Sequence, residues 1–123
     1  MKTLLLIDQD SECRQSISRS AQQLGIKIIL ETQCLYHGLA LFDECPIDLI
    51  IMDVFQPARG GLSYLSEITS HPDHPPIIAT FSVEESQGFN IEKFTHILGV
   101  TYTFQKPIST SSFHCTLKNL LHN

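Results

Sequence analysis

Two apolar runs that each stop at an aspartate constrain this chain more than any other feature. Leu4-Leu-Leu-Ile7 ends in Asp8, and Leu49-Ile-Ile-Met52 ends in Asp53. A third segment, Thr101 to Phe104, is followed by Lys106-Pro107. Short continuous apolar runs bounded by polar residues fit strands buried on both faces, as in a parallel sheet. In such sheets ligands lie at the carboxyl ends of the strands, near the switch in strand order. Two carboxylates and a lysine at those ends are expected to converge on a site that binds a divalent cation and handles phosphate.

The segments between the runs supply the connecting helices. Thr3 to Ile7 reads as a strand, and Ser11 to Leu24 has helical spacing at Cys13, Ile17, Ala21 and Leu24, with Gly25 as the stop. Asp10 is the better placed N-cap for that helix, ahead of Ser11. Strands at Lys27 to Leu30, Leu49 to Met52, Ile77 to Thr80 and Thr101 to Phe104 alternate with helices at Leu35 to Phe42, Leu62 to Thr69, Ile91 to Leu98 and Phe113 to Leu121. Ser82 to Asn90 is polar and fits no single element. The pattern is (βα)5, a doubly wound five-stranded parallel sheet with right-handed crossovers and helices on both faces, a flavodoxin-like three-layer sandwich. With 123 residues the chain has room for one domain, residues 1–123, and not for two.

Composition narrows the function classes. A net charge of -5, with no Lys/Arg cluster, argues against direct nucleic-acid binding. No stretch approaches a membrane span, and the four-residue apolar run near the amino terminus meets Asp8, Asp10 and Glu12 too soon for an export signal. Cys13, Cys34, Cys45 and Cys115 match no metal knuckle, so buried, reduced thiols in a cytoplasmic protein are expected. His71 and His74 share a proline-rich loop without a third candidate ligand. The loop Asp8-Gln-Asp-Ser-Glu-Cys13 is acidic and free of glycine, which disfavours a flavodoxin-type cofactor phosphate.

Asp53 followed by Pro57 and Gly61, with Asp8 upstream and Lys106-Pro107 near the carboxyl end, resembles the receiver domain of two-component response regulators over nearly the whole chain. The resemblance implies that Asp53 accepts a phosphoryl group from a histidine kinase or phosphotransfer protein. It implies that Asp8 is one of an acidic pair holding magnesium, and that the Phe55 carbonyl is a further ligand. Lys106 then contacts the acyl phosphate, its bond to Pro107 is cis, and Gly61 shapes the loop after the acceptor.

Three positions depart from the family pattern. Gln9 stands where the second acid is expected, and it ligates a hard cation only through its amide oxygen. The switch hydroxyl position falls on Phe81, with Thr80 and Ser82 flanking it as candidates. The switch aromatic position falls on Thr103, between Tyr102 and Phe104. The resulting expectation is a phosphoacceptor module with slow self-dephosphorylation. Its charge change on Asp53 would alter binding to a downstream protein, an additional output domain or a second copy in a homodimer. The alternative is a pseudo-receiver that keeps the fold as an interaction module while Gln9, Phe81 and Thr103 impair the switch.

Overall fold

The computed structural model describes residues 3–54, 61–82 and 90–121. Five strands, β1 (Thr3–Ile7), β2 (Ile28–Thr32), β3 (Leu49–Asp53), β4 (Ile77–Ser82) and β5 (Tyr102–Lys106), form one parallel sheet in the order β2-β1-β3-β4-β5. The helices between them are α1 (Ser11–Gln23), α2 (Leu35–Glu44), α3 (Gly61–Thr69), α4 (Ile91–Ile97) and α5 (Thr110–Leu121). This is the doubly wound (βα)5 sheet that the alternating pattern implies. The order reverses between β1 and β3, the two strands that end in aspartate.

Because strand side chains alternate between faces, the sheet carries two separate cores. Leu4, Leu6, Leu49, Ile51 and Ile78 pack under Ile17 and Ala21 of α1 and Phe113 and Leu117 of α5. Leu5, Ile7, Ile50, Met52, Ala79 and Phe81 pack under Leu35 of α2 and Tyr64, Leu65 and Ile68 of α3. Helix α4 lies against β5, and Val100 just beyond it joins this second core. β1, β3 and the first five residues of β4 are buried, whereas edge strands β2 and β5 are half-exposed.

The ends of the elements follow from local chemistry. Asp10 caps α1, its Oδ1 accepting the Glu12 N–H at 3.0 Å, and Gly25 takes the left-handed turn after that helix at φ 92°. In α2, Gly38 meets β1 so closely that a Cβ there would lie 2.6 Å from Ile7 Cδ1.

Four strands run further than hydropathy suggests. β2 starts at Ile28 and reaches Thr32, β3 takes in Asp53, β4 reaches Ser82, and β5 reaches Lys106, with Asp53 paired to Thr80 and Ser82 paired to Lys106. The ladder is made by backbone groups, so it continues through polar side chains that an apolar run excludes. The last helix likewise begins at Thr110, three residues before its first buried aromatic. The expected buried thiols need correction: Cys34 and Cys115 are exposed and Cys13 and Cys45 half-buried, all four free. No helix among the described residues is long and apolar enough to cross a membrane.

Candidate functional site

β1 and β3 are neighbours, so their carboxyl ends set Asp8 and Asp53 side by side at the switch point, on the face covered by α1 and α5. Lys106 ends β5 on the same face. Its Nζ lies 2.8 Å from Asp8 Oδ2 and 2.9 Å from Asp53 Oδ2. The peptide between Lys106 and Pro107 is cis. Three residues separated by as much as 98 positions are thus brought to one ammonium group.

Burial makes this cluster electrostatically demanding. The side chains of Asp8, Asp53 and Lys106 are 1%, 9% and 18% exposed. Burial alone would lower the pKa of Lys106, but hydrogen bonds and charge from Asp8 and Asp53 outweigh it and hold the pKa above the ordinary lysine value. Lys106 is therefore firmly ammonium at neutral pH. One ammonium is shared between two carboxylates, so Lys106 alone does not neutralise both.

Asp8 is held on every side. Its N–H donates to Thr32 O at 3.1 Å, its Oδ1 accepts the Asp10 N–H at 2.9 Å, and its carbonyl accepts from Arg14 Nη1 at 2.6 Å. Oδ2 is buried and, apart from the ionic contact with Lys106, takes part in no hydrogen bond of good geometry among the described residues. A buried carboxylate oxygen with spare acceptor capacity suits a hard cation. Gln9 is exposed beside it and can add only an amide oxygen. Among the described residues no group of three or more His, Cys, Asp or Glu side chains is placed to hold a metal. Asp8 and Asp53 are two carboxylates where the sequence resemblance implies three acids, with Gln9 in the place of the third. Phe55 and Pro57 lie outside the described residues, and Gly61 opens α3.

The two hydroxyl candidates differ in position. Thr80 is fully buried opposite Asp53, and its Oγ1 donates to the Met52 carbonyl at 3.4 Å. Ser82 stands one pleat further on, half-exposed and in register with Lys106 at the strand exit. Phe81 points to the opposite face, into the core under α2 and α3. Thr103, paired with Ala79, lies on that opposite face as well, whereas Phe104 stacks edge-on with Phe113 of α5 at 5.4 Å.

Two neighbours of the site had no signal in the sequence. Arg14 is one of two arginines in α1, and only the fold shows that it, not Arg19, reaches Asp8. Cys13 lies beside Asp8, and burial followed by the Asp8 charge pushes its thiol up to about 12. A cleft of about 250 Å³ opens beside Lys106, with Cys13, Ile17, Pro107 and Phe113 in its walls.

A family model described as the response regulator receiver domain matches residues 4–118. The chain is 28% identical over 107 residues to chemotaxis protein CheY of Halobacterium salinarum, covering 86% of this chain and 88% of that protein. It is 30% identical over 78 residues to regulatory protein AtoC of Escherichia coli, covering 61% of this chain but only 16% of that longer protein. The response regulatory domain of protein mrkE from Klebsiella pneumoniae superposes with a TM-score of 0.84 at 17% identity, covering 99% of this chain and 96% of that one, which speaks for the fold alone.

Proposed function

This chain belongs to the receiver domain family of response regulators, and from that premise we propose that Asp53 is its phosphoacceptor in two-component signalling. The observation that carries the reading is the single ammonium of Lys106 within 2.9 Å of both Asp8 and Asp53 at the carboxyl ends of the sheet.

An aspartate carboxylate attacks phosphorus only if charge repulsion is offset and the transferring group is held in line. Asp53 Oδ attacks the phosphorus of a phosphohistidine on a kinase or phosphotransfer partner. The O–P bond forms as the N–P bond breaks, and the electron pair stays on the imidazole nitrogen, which takes up a proton. Asp8 and Asp53, with the Gln9 amide oxygen and the Phe55 carbonyl, would hold Mg²⁺, whose charge offsets that of the phosphoryl oxygens. Lys106 gives up a carboxylate contact to pair with a phosphoryl oxygen. Ser82 is the hydroxyl better placed to reach that group, and Thr80 is the alternative. Hydrolysis of the acyl phosphate by water returns Asp53 and inorganic phosphate, so the same residues carry slow self-dephosphorylation. The added charge on Asp53 then biases a surface toward a downstream protein, an output domain or a second copy of the chain.

A pseudo-receiver is the second reading, favoured by the missing third carboxylate at Gln9. One experiment separates the two: intact mass after incubation with acetyl phosphate, with and without Mg²⁺, beside Asp53→Asn. A phosphate-sized gain that needs Mg²⁺ and is lost in the variant is the expected result. No gain at high Mg²⁺, with several donors, would sink the phosphoacceptor reading in favour of the pseudo-receiver.

A further inference from the structure

Asp8 has four anchors, and they are not equivalent. Its N–H is bound by the Thr32 carbonyl and its Oδ1 by the Asp10 N–H, both backbone groups. Its Oδ2 is bound by Lys106, which must turn toward the phosphoryl group during the reaction. Its carbonyl lies just past the last residue of β1, beyond the ladder, and takes the Arg14 guanidinium at 2.6 Å. Arg14 is therefore the one charged side chain, among the described residues, that holds Asp8 without also serving the phosphate.

We infer that Arg14 is a positioning residue for the cation site: by fixing the peptide between Asp8 and Gln9 it holds the Asp8 carboxylate and the Gln9 amide in the orientation that accepts a divalent cation. The inference rests on the reading of Asp8 and Gln9 as cation ligands given above.

Three features support it. The hydrogen bond is short and charge-assisted, the stronger class of such bonds. The guanidinium is fixed from its other side, with Nε 3.6 Å from Glu31 Oε1 on β2 and only 19% of the side chain exposed. The site also has one carboxylate fewer than its family pattern, so its affinity depends more on how well the remaining oxygens are oriented. Groups that orient metal ligands typically contribute about 10–100-fold in affinity, although they touch no metal.

The sign of the effect distinguishes positioning from charge. Arg14 is a cation near the site, so by electrostatics alone its removal would tighten Mg²⁺ binding. Positioning requires the reverse.

The test is Mg²⁺ titration of the unphosphorylated protein, followed by backbone amide shifts, for wild type, Arg14→Ala, Arg14→Lys and Arg19→Ala. Thermal unfolding without Mg²⁺ records whether each variant is folded. Arg19 is exposed on the same helix and controls for the lost charge. The expected result is an affinity about tenfold weaker in Arg14→Ala, partly restored in Arg14→Lys and unchanged in Arg19→Ala. An unchanged or tighter Arg14→Ala overturns the inference, as does a loss of stability without any change in Mg²⁺ affinity. If Arg14→Ala does not fold, Arg14→Lys decides: an affinity equal to or tighter than wild type overturns the inference, and a weaker one supports it. A wild type that shows no Mg²⁺ response also overturns it. Intact mass with acetyl phosphate on the same samples separates the two readings. Arg14-dependent Mg²⁺ binding without any mass gain removes the phosphoacceptor reading and leaves this inference standing. A mass gain with Arg14-independent Mg²⁺ binding does the opposite.

Discussion

The two faces of the sheet are built from alternate residues of the same strands, yet they carry different parts of the family pattern. The face under α1 and α5 holds Asp8, Asp53, Thr80, Ser82 and Lys106 at its carboxyl edge. The face under α2 and α3 holds Phe81 and Thr103, the two positions where the sequence resemblance leads one to expect the switch hydroxyl and aromatic. The chemistry side thus departs from the pattern only at Gln9, while the departures in the relay fall mainly on the other side. Strand parity separates the two roles: a side chain that enters the core under α3 cannot also reach the carboxylates one pleat away.

The largest effects should come from breaking each face separately. Phe81 is 5% exposed in the core, so Phe81→Ala should cost about 3–5 kcal/mol in denaturant unfolding. Phosphoryl uptake per folded molecule should nevertheless be unchanged. A fall in uptake among folded molecules would show that the faces are not independent.

Lys106→Met strikes the other face. Removing one partner of a buried ion pair costs about 3 kcal/mol, here by leaving two carboxylates uncompensated. Unfolding followed with and without Mg²⁺ should show part of that loss restored by the cation, while uptake of phosphate onto Asp53 stays low. Full uptake in Lys106→Met would remove the lysine from the proposed mechanism.

Gly38→Ala sharpens the comparison within the α2 side. The new methyl would meet Ile7 Cδ1 at 2.6 Å and Tyr64 Oη at 3.2 Å, so stability should fall by about 1–3 kcal/mol. The denaturant midpoint should move with an unchanged slope, and the phosphorylation rate should hold.

The smallest effect concerns alkaline pH. Lys106 has a raised pKa, so its contribution to stability is complete below the ordinary lysine value of 10.5 and is lost as pH rises through the higher folded-state value. Cys13 is raised from 9.0 to about 12, so stability also falls as pH climbs from 9, because the unfolded thiol ionises before the folded one. Cys13→Ala should remove that earlier part of the alkaline loss and leave the later part. In the folded wild type at pH 8, exposed Cys34 and Cys115 should react with a thiol reagent well before Cys13.

Much of this architecture was legible in one dimension. Apolar runs ending in Asp8 and Asp53 named β1 and β3, and the alternation of periods named the parallel sheet. Boundaries were less legible where polar side chains continue a strand, as at Ser82 and Lys106, because hydropathy reports burial and not backbone pairing. Register places Thr80 opposite Asp53 and Ser82 opposite Lys106, a difference between the two candidate hydroxyls that hydropathy does not report.

The sequence by itself determined the fold class, the two acids, the lysine and the loss of an acid at Gln9, because each is a matter of residue type and local periodicity. Tertiary structure alone decided that one ammonium bridges Asp8 and Asp53, that Phe81 and Thr103 face away from them, and that Arg14 rather than Arg19 closes on Asp8. Those facts depend on which strands are neighbours and which face each side chain takes. Such long-range geometry is set by packing the whole chain, and no short window of residues contains it.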